Sequence, residues 1–352
     1  MNDSIREHVP LAPLTTLGIG GSARYFIHAT SEKTALDAVR FAHDRQLPLL
    51  ILGGGSNLVV ADRGFDGVVV RNEICGLDWV DDGARVRLTA GAGEDWDGLV
   101  AETVKRDLAG IECLSGIPGL VGGTPIQNVG AYGQEVAETI VRVRAYDRKS
   151  QTIVELSPKE CAFSYRASTF NTTSRDRFIV LSVSYSFEKH GVPRTTYADV
   201  QRELVNATPT LQQVRDVVRA IRTRKAMLIQ PGDPDCRSVG SFFKNPIVDE
   251  TQLPDAPRYP AGPGKAKIPA AWLIEGAGFA KGYIDGRVGI SSKHTLALIN
   301  RGGGTAAELV TLARRIQHKV EADFGVRLVP EPVFVGFPAD DPSLHLLQSS
   351  VD

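Results

Sequence analysis

Two glycine-rich segments contain the residues best suited to hold a phosphate group. The first, LGGGSNLVV at 52–60, follows an apolar stretch that is typical of a short buried strand. Glycines let backbone N–H groups approach a phosphate closely, and Ser56 and Asn57 add side chains that form hydrogen bonds. The same residues also suit an ordinary tight turn, so this segment alone leaves both interpretations open.

The second segment, SGIPGLVGGTPIQNVGAYG at 115–133, has six glycines and two prolines in nineteen residues. This composition argues against a regular helix or strand and predicts a long, specifically shaped loop. Its unpaired backbone groups need hydrogen-bond partners. Together with TTLGIGG at 15–21, the two loops suit a long ligand such as a dinucleotide. Turn formation without a ligand is the alternative.

Two common nucleotide-binding motifs are not matched. The best candidate for a Rossmann fingerprint, GAGEDW at 91–96, has Trp96 where the third glycine belongs. GPGKA at 262–266 lacks both the spacing and the Ser or Thr of a phosphate-binding P-loop. A Rossmann fold and a P-loop fold are therefore both disfavoured.

Three further motifs each carry one polar residue that could act in catalysis. They are Ser241 in VGSFFKNP, Arg166 in SYRASTF and Glu331 in VPEPVFVG. On residue type alone, the default interpretation of Ser241 is an exposed turn residue. That of Arg166 is a surface ion-pair residue, and that of Glu331 is a loop charge before a strand. The local pattern gives none of them a catalytic role.

The overall composition favours small-molecule partners. The 352 residues include 40 basic and 41 acidic side chains, and the net charge of -1 provides no basic patch for nucleic acid. No apolar run is long enough to span a membrane, and the N-terminus lacks the apolar core of a signal peptide. Cys75, Cys113, Cys161 and Cys236 have neither zinc-ligand nor disulfide-framework spacing, so free thiols in a reducing cytoplasm and no metal are expected.

Hydrophobic periodicity predicts alternating helices and strands, which indicates an α/β or α+β class. The predicted helices are 32–46, 94–107, 211–222 and 304–324, and the predicted strands are 47–52, 67–71, 85–90, 140–146, 178–187 and one within 327–336. The Pro-, Gly- and Asp-rich segment at 227–236 suggests a domain boundary near residue 226.

The order of the motifs resembles one enzyme family. TTLGIGG, LGGGSN, GIPGLVGGTPIQNVGAYG, SYRASTF, GSFFKNP and AAWLIEGAG follow one another as in the UDP-N-acetylenolpyruvoylglucosamine reductases, also called UDP-N-acetylmuramate dehydrogenases. The resemblance covers about residues 13–336 and is to the type I branch. These flavoenzymes act in bacterial peptidoglycan precursor synthesis.

The resemblance implies an α+β protein with a vanillyl-alcohol-oxidase/PCMH-like FAD-binding fold. Its two subdomains would be 1–70 and 71–226, with a C-terminal return at 327–352 to the second, and 227–326 would form an α+β substrate-binding domain. The implied FAD contacts are Gly53, Gly54, Gly55, Ser56 and Asn57 at the pyrophosphate, and Ser115, Gly116, Gly119, Gly122, Gly123 and Thr124 along the flavin. A cytoplasmic monomer without nucleic-acid or membrane partners is expected.

The resemblance also implies a two-stage hydride transfer and a catalytic set. NADPH would reduce FAD, and the reduced flavin would deliver hydride to C3 of an enolpyruvyl ether, with protonation at C2. Arg166 would stabilise negative charge on the carboxylate, Glu331 would help polarise it, and Ser241 would give the proton to C2. A serine is a weak acid, but a carbanion beside a carboxylate is basic enough to take its proton.

Five residues match family positions near the substrate or the pyridine nucleotide: Tyr132, Tyr197, Lys225, Asn245 and Lys267. Tyr197 would be a lid over bound substrate, although a tyrosine that simply begins a helix fits equally. Lys267 also suits a surface charge.

One departure from the family pattern concerns a possible ligand contact. Gly276 stands where type I members often carry glutamine. The nearest rival functions are an alcohol or sugar oxidase of the same flavin fold and a non-catalytic nucleotide-binding module. Neither rival needs the set of Arg166, Ser241 and Glu331.

Overall fold

The structure is a computed structural model that describes residues 5–204, 208–338, 340 and 341 of the chain. The end of the predicted C-terminal return, residue 339 and residues 342–352, lies outside the described residues. Within the described ranges, no helix is both long and apolar enough to cross a membrane.

The elements alternate along the chain as the periodicity predicts. The helices are α1 (Glu32–Asp44), α2 (Trp96–Lys105), α3 (Pro158–Cys161), α4 (Ala198–Glu203), α5 (Leu211–Arg224), α6 (Ala270–Gly276) and α7 (Ala306–Phe324). The strands are β1 (Ile5–Pro10), β2 (Ser22–Ala29), β3 (Leu49–Leu52), β4 (Leu58–Val60), β5 (Phe65–Asn72), β6 (Leu77–Asp82), β7 (Arg85–Gly91), β8 (Leu108–Ala109), β9 (Gly130–Ala131), β10 (Gln134–Glu135), β11 (Ile140–Asp147), β12 (Thr152–Leu156), β13 (Phe178–Lys189), β14 (Ile247–Asp249), β15 (Tyr259–Pro260), β16 (Lys265–Lys267), β17 (Ile284–Asp285), β18 (Val288–Ile290), β19 (Leu298–Asn300) and β20 (Val333–Val335).

Side-chain caps fix where the long helices begin. Ser31 accepts a hydrogen bond from the Thr34 N–H at the start of α1, and Asp95 accepts one from the Gly98 N–H at the start of α2. Helices α5 and α7 each start with a capping box, in which the cap side chain and the third helical residue bond each other's backbone. Such caps satisfy N–H groups that a helix end otherwise leaves unpaired.

The chain divides into two compact units. Unit 1 comprises residues 1–7, 25–54 and 67–228, and unit 2 comprises 8–24, 55–66 and 229–352. The three-domain division expected from the family resemblance stays a prediction.

The larger sheet of unit 1 is antiparallel. Five of its strands follow the order β12-β11-β13-β7-β6, and β8 also pairs with β13. Along β13, Val183, Tyr185 and Phe187 are buried and the serines between them are half-buried, which is the alternation of a sheet with one covered face. The buried side packs with Trp96 and Val100 of α2. A second sheet, in the order β1-β2-β5-β3, packs against α1.

Unit 2 has α6 and α7 packed with two small sheets, β14-β16-β15 and β17-β18-β19, and with the parallel pair β20-β4. The apolar stripe predicted for the last helix is confirmed, since Leu309, Leu312, Ile316 and Val320 are all buried. The closing strand β20 pairs with β4, with Val333 opposite Leu58.

Candidate active site

Arg166 lies in a tight turn that fixes its backbone. Ser164 and Ala167 exchange both backbone hydrogen bonds, at 2.9 and 3.1 Å, so Tyr165 and Arg166 form the tip. Arg166 adopts a left-handed conformation with φ of 53°, which is costly for a residue with a side chain. Its Nη2 donates to the Gly130 carbonyl oxygen at 2.6 Å.

That carbonyl belongs to a hairpin, β9-β10, whose two-residue loop carries Tyr132 and Gly133. Both loop residues have positive φ, 48° and 83°, as a type I′ turn requires. At Gly130, a Cβ atom would lie 2.9 Å from the Gln134 carbonyl oxygen and 3.1 Å from Arg166 Nη1, so glycine suits this close approach. The hairpin thus brings the backbone of Tyr132 and the guanidinium of Arg166 into one small region of unit 1. The hairpin also corrects the prediction that the whole segment 115–133 lacks regular structure.

Tyr197 and Lys225 lie beside the same hairpin. The Tyr132 and Tyr197 rings pack edge to face with centroids 5.4 Å apart. Tyr197 is 42% exposed and immediately precedes α4, so it does begin a helix, and its role as a lid stays a prediction. Lys225 directly follows the last residue of α5, and its Nζ donates to Asp199 Oδ2 at 2.9 Å. Burial raises the pKa of Tyr132, which keeps it a neutral hydroxyl.

Arg222 is a buried cation that the sequence reasoning did not single out. Its Nε donates to the Gly116 carbonyl oxygen at 3.0 Å, and its Nη2 donates to the Met227 carbonyl oxygen at 2.6 Å. Burial lowers the pKa of the guanidinium from its usual very high value. Asp97 accepts from the Gly116 N–H at 2.6 Å, so charged side chains hold both backbone groups of this glycine.

The glycines of the unit 1 loops fall into two groups. A Cβ at Gly54 would lie 2.7 Å from Gly119 Cα, and one at Gly122 would lie 2.6 Å from Ala92 Cβ, so close approach of the chain explains these positions. A Cβ at Gly53 would meet only Leu120, at 4.0 Å, and one at Gly123 would meet nothing within 4 Å. Neither Gly53 nor Gly123 has a positive φ.

The chain's own packing therefore gives no reason for glycine at Gly53 and Gly123. A ligand whose surface lies against the backbone does give one, since only glycine lets the main chain approach so closely. The two loops thus fit a flat or phosphate-bearing group. In contrast, the hydroxyls of Ser115 and Thr124 donate to the backbone oxygens of Glu112 and Val121 at 2.6 and 2.8 Å. These two side chains shape the loop from inside.

In unit 2, backbone hydrogen bonds bring Ser241 and Glu331 onto adjacent segments. The Glu331 N–H donates to the Phe242 carbonyl oxygen at 2.9 Å, and the Lys244 N–H donates to that of Val329 at 2.9 Å. Phe242 and Phe243 are buried beneath them, with rings 5.1 Å apart. The two buried rings therefore anchor the backbone that follows Ser241.

Asn57 of the first glycine loop lies next to Glu331. Its Nδ2 donates to the Glu331 carbonyl oxygen at 3.3 Å, and its own carbonyl oxygen accepts from the Val333 N–H at 2.9 Å. Ser56 precedes it in the same loop. At Gly55, where φ is 62°, a Cβ would lie 2.1 Å from the Leu14 carbonyl oxygen, so this glycine is required by packing within unit 2.

Asn245 and Lys267 are the remaining predicted substrate contacts in unit 2. The Asn245 Oδ1 accepts from the Ala270 N–H at 2.9 Å at the start of α6, so its amide oxygen is structural. Lys267 lies on the central strand β16, between Ile247 and Tyr259 on the neighbouring strands. At Gly276, a Cβ would lie 2.8 Å from Phe324 Cζ, so the aromatic ring occupies the space of the glutamine common in type I members.

The fold and these loops define an FAD-binding protein, and the comparisons with known proteins agree. The family model described as "FAD binding domain" matches residues 23–157. A second model, "UDP-N-acetylenolpyruvoylglucosamine reductase, C-terminal domain", matches residues 230–335. The α+β class and the FAD-binding fold that the sequence predicts are therefore confirmed.

Full-length relatives identify the family. The chain is 46% identical to the UDP-N-acetylenolpyruvoylglucosamine reductase of Thermobifida fusca, over 96% of this chain and 99% of that protein. It is 47% identical to the Streptomyces avermitilis reductase, over 93% and 94%. The crystal structure of the Thermus caldophilus reductase matches with a TM-score of 0.66 and 26% identity, covering 94% of this chain and 99% of that one. This chain belongs to the UDP-N-acetylenolpyruvoylglucosamine reductase family.

Family membership shows the general activity. The protein is an FAD-dependent oxidoreductase of peptidoglycan precursor synthesis, and its reaction forms UDP-N-acetylmuramate by reduction. Within the part of the chain that the structure describes, no three His, Cys, Asp or Glu side chains cluster as a metal site would require. The individual site residues stay predictions and are developed as proposals below.

Proposed function

We propose that this enzyme uses NADPH to reduce UDP-N-acetyl-3-O-enolpyruvylglucosamine to UDP-N-acetylmuramate in a ping-pong reaction, with Ser241 as the proton donor to C2. The observation that carries the proposal is the hydrogen bond from the Glu331 N–H to the Phe242 carbonyl oxygen. It places a hydroxyl-bearing segment beside a carboxyl-bearing one, as addition across a carbon–carbon double bond next to a carboxylate requires.

FAD would supply hydride transfer from NADPH to C3 of the enolpyruvyl group. The chain's contribution is to hold the cofactor through the open backbone at Gly53 and Gly123, where a Cβ would meet almost nothing of the protein. Asp97 accepts from the Gly116 N–H and Arg222 donates to the Gly116 carbonyl oxygen, which fixes the shape of the loop that would lie along the flavin.

Hydride addition at C3 leaves negative charge at C2 that is delocalised into the substrate carboxylate. Arg166 would bind this carboxylate with its planar guanidinium, which stays charged throughout the reaction. Glu331 would help polarise the same group, and only a neutral carboxyl could do so by donating a hydrogen bond. Groups fixed before the reaction stabilise such charge without reorganisation.

Ser241 would protonate C2 once the charge has formed. The buried pair Phe242 and Phe243 anchors the segment that follows the serine, and the Phe242 N–H donates to the Leu296 carbonyl oxygen at 2.8 Å. These contacts fix the backbone next to Ser241, which would help to position its hydroxyl, and positioned proton transfer is worth about 10²–10⁴ in rate.

The proposed substrate contacts suit a nucleoside diphosphate. Lys225 and Lys267 provide positive charge, and the amide N–H groups of Asn245 provide hydrogen-bond donors. Tyr132 provides a neutral hydroxyl, and Tyr197 provides an exposed ring that can cover a bound ligand. We propose that NADPH and the sugar nucleotide, which both carry a diphosphate, use overlapping sites in turn. A monomer in the cytoplasm stays the expectation.

An anaerobic absorption titration tests the proposal. NADPH is added to the FAD-loaded protein, followed by the enolpyruvyl sugar nucleotide. We expect NADPH to bleach the flavin absorption band and the substrate to restore it. Bleaching by NADH but not by NADPH would contradict the proposed donor. Bleaching without recovery would contradict the proposed acceptor and favour an oxidase of the same fold. In that case, molecular oxygen should reoxidise the flavin, or an alcohol substrate should reduce it.

A further inference from the structure

Two ion pairs connect the short helix α4 to the end of α5. Lys225 Nζ lies 2.9 Å from Asp199 Oδ2, and Arg224 pairs with Glu203. Asp199 is in the first turn of α4, two residues after Tyr197, and Glu203 is the last residue of that helix. The start of α4, including the segment of the proposed lid residue, is therefore held to Lys225 by one carboxylate.

In this ion pair, Asp199 neutralises Lys225, the cation that we assign to the substrate diphosphate. The Lys225 and Asp199 side chains are 37% and 28% exposed, so the pair is open to solvent and individually weak. A lysine ammonium is a point charge with three donors, and a diphosphate carries more negative charge than one carboxylate. A carboxylate left beside a bound diphosphate would repel it.

Asp199 already has a second cationic partner. Its Oδ1 accepts from Arg202 Nη2 at 2.7 Å, one turn further along α4. A carboxylate that gives up Lys225 would therefore keep a counterion within its own helix. Tyr197, two residues earlier, contacts Tyr132 through its ring, so a shift of Asp199 would change the position of that ring. Burial is the main cause of the raised pKa of Tyr132, and the charges of Lys225 and Asp199 act on it in opposite directions.

We propose that Asp199 is a displaceable counterion of Lys225 that competes with the diphosphate of an incoming nucleotide. In the ligand-free enzyme, Asp199 neutralises Lys225 and holds the Tyr197 segment against α5. Diphosphate binding releases Asp199 to Arg202 and frees the segment to move over the ligand. Asp199 is thus a positioning residue that lowers affinity for diphosphates, and the inference rests on the proposed role of Lys225.

The test compares Asp199→Asn with Glu203→Gln in the FAD-loaded enzyme at low salt, where ion pairs are least screened. Glu203→Gln is the matched control because it breaks the neighbouring ion pair, between Arg224 and Glu203, without contacting Lys225. Dissociation constants are measured for UDP and for uridine by calorimetry. We expect Asp199→Asn to bind UDP about twofold to fivefold more tightly, the range of an exposed ion pair, with uridine unchanged. Glu203→Gln should change neither constant.

Two further variants keep the outcomes distinct. In a Lys225→Ala background, Asp199→Asn should no longer affect UDP binding. In the otherwise wild-type enzyme, Asp199→Glu retains the negative charge and should keep the wild-type affinity for UDP. Asp199→Asn could instead bind UDP as the wild type does, or more weakly, while Lys225→Ala still weakens UDP binding. That result would overturn the proposed displacement of Asp199 and leave the assignment of Lys225 to the diphosphate intact. If Lys225→Ala does not weaken UDP binding, the assignment of Lys225 to the diphosphate fails, and the displacement fails with it.

Discussion

The Gly123→Ala variant tests whether glycine is needed at this position for FAD binding or for folding of the chain itself. Gly123 is exposed, its φ lies outside the left-handed region, and a Cβ there would meet no protein atom within 4 Å. The flavin-free protein should therefore accept alanine. If FAD lies against this backbone, the added methyl group must displace it or its neighbours.

The expected effects of Gly123→Ala on the stability of the flavin-free protein and on FAD affinity have opposite signs. In the flavin-free protein, alanine at a compatible position is expected to stabilise the fold by about 0.4–1 kcal/mol, because the unfolded chain loses freedom. In the complex, an extra methyl in a close contact costs about 1–3 kcal/mol, which corresponds to about a fivefold to 150-fold weaker FAD affinity. Gly123→Ala should thus melt slightly higher without FAD and bind FAD less tightly.

The assay combines thermal melting of the flavin-free protein with a fluorescence titration of FAD. Gly54→Ala is the contrasting variant, because its Cβ would lie 2.7 Å from Gly119 Cα and the backbone cannot easily yield. It should lower the melting temperature of the flavin-free protein itself. Wild-type FAD affinity in a stable Gly123→Ala protein would refute the reasoning, and so would a Gly123→Ala protein that does not fold.

Three other predictions use different measurements. Ser241→Ala should leave flavin reduction by NADPH nearly intact and slow reoxidation by substrate about 10²–10⁴-fold in stopped-flow absorption; equal slowing of both steps would contradict the proton-donor role. Arg166→Lys should lower turnover sharply because the planar fork is lost, and near-normal turnover would show that Arg166 does not bind the carboxylate. Hydrogen bonds from Arg177 lower the pKa of Asp147, so the carboxylate stabilises the fold above its unfolded pKa of about 3.9. Asp147→Asn should thus lower the free energy of unfolding at pH 7, with the difference narrowing as denaturant titrations move below about pH 4; a pH-independent difference would refute the charge effect.

Local sequence signals predicted the four long helices, α1, α2, α5 and α7, because such signals act within a few residues, but they gave no prediction for the short helices α3, α4 and α6. In α7, Thr305 and Glu308 form the capping box, and Gly325 ends the helix with φ of 64°. In contrast, the hairpin at 130–135 was not predicted, because its first strand and its turn lie within a glycine-rich segment. Its turn places Tyr132, and not the usual asparagine or aspartate, in a left-handed conformation, so the composition gives little warning of it.

Arg222 shows why part of the site could not be read from the sequence. Arg215, Arg219 and Arg222 recur on one face of α5, a pattern that usually marks a solvated surface. In the structure, Arg215 and Arg222 are buried because Asp97 and the Gly116 peptide, about a hundred residues earlier in the chain, receive their hydrogen bonds. Such long-range pairing depends on the fold and leaves no local motif.

Backbone strain distinguishes the parts of unit 1 that are fixed from the part that we propose to move. Tyr132 and Arg166 both adopt left-handed conformations, each costing on the order of 1–3 kcal/mol, and the bond from Arg166 to Gly130 joins their two turns. Such strain persists only where the surroundings over-determine it, and a group that stabilises developing charge gains from being held in advance. Tyr197 and Lys225, in contrast, are held through a solvent-exposed ion pair. If Arg166 and Lys225 have the proposed roles, a rigid turn at Arg166 beside a segment held by an exposed ion pair would let the site admit a diphosphate without disturbing the arginine.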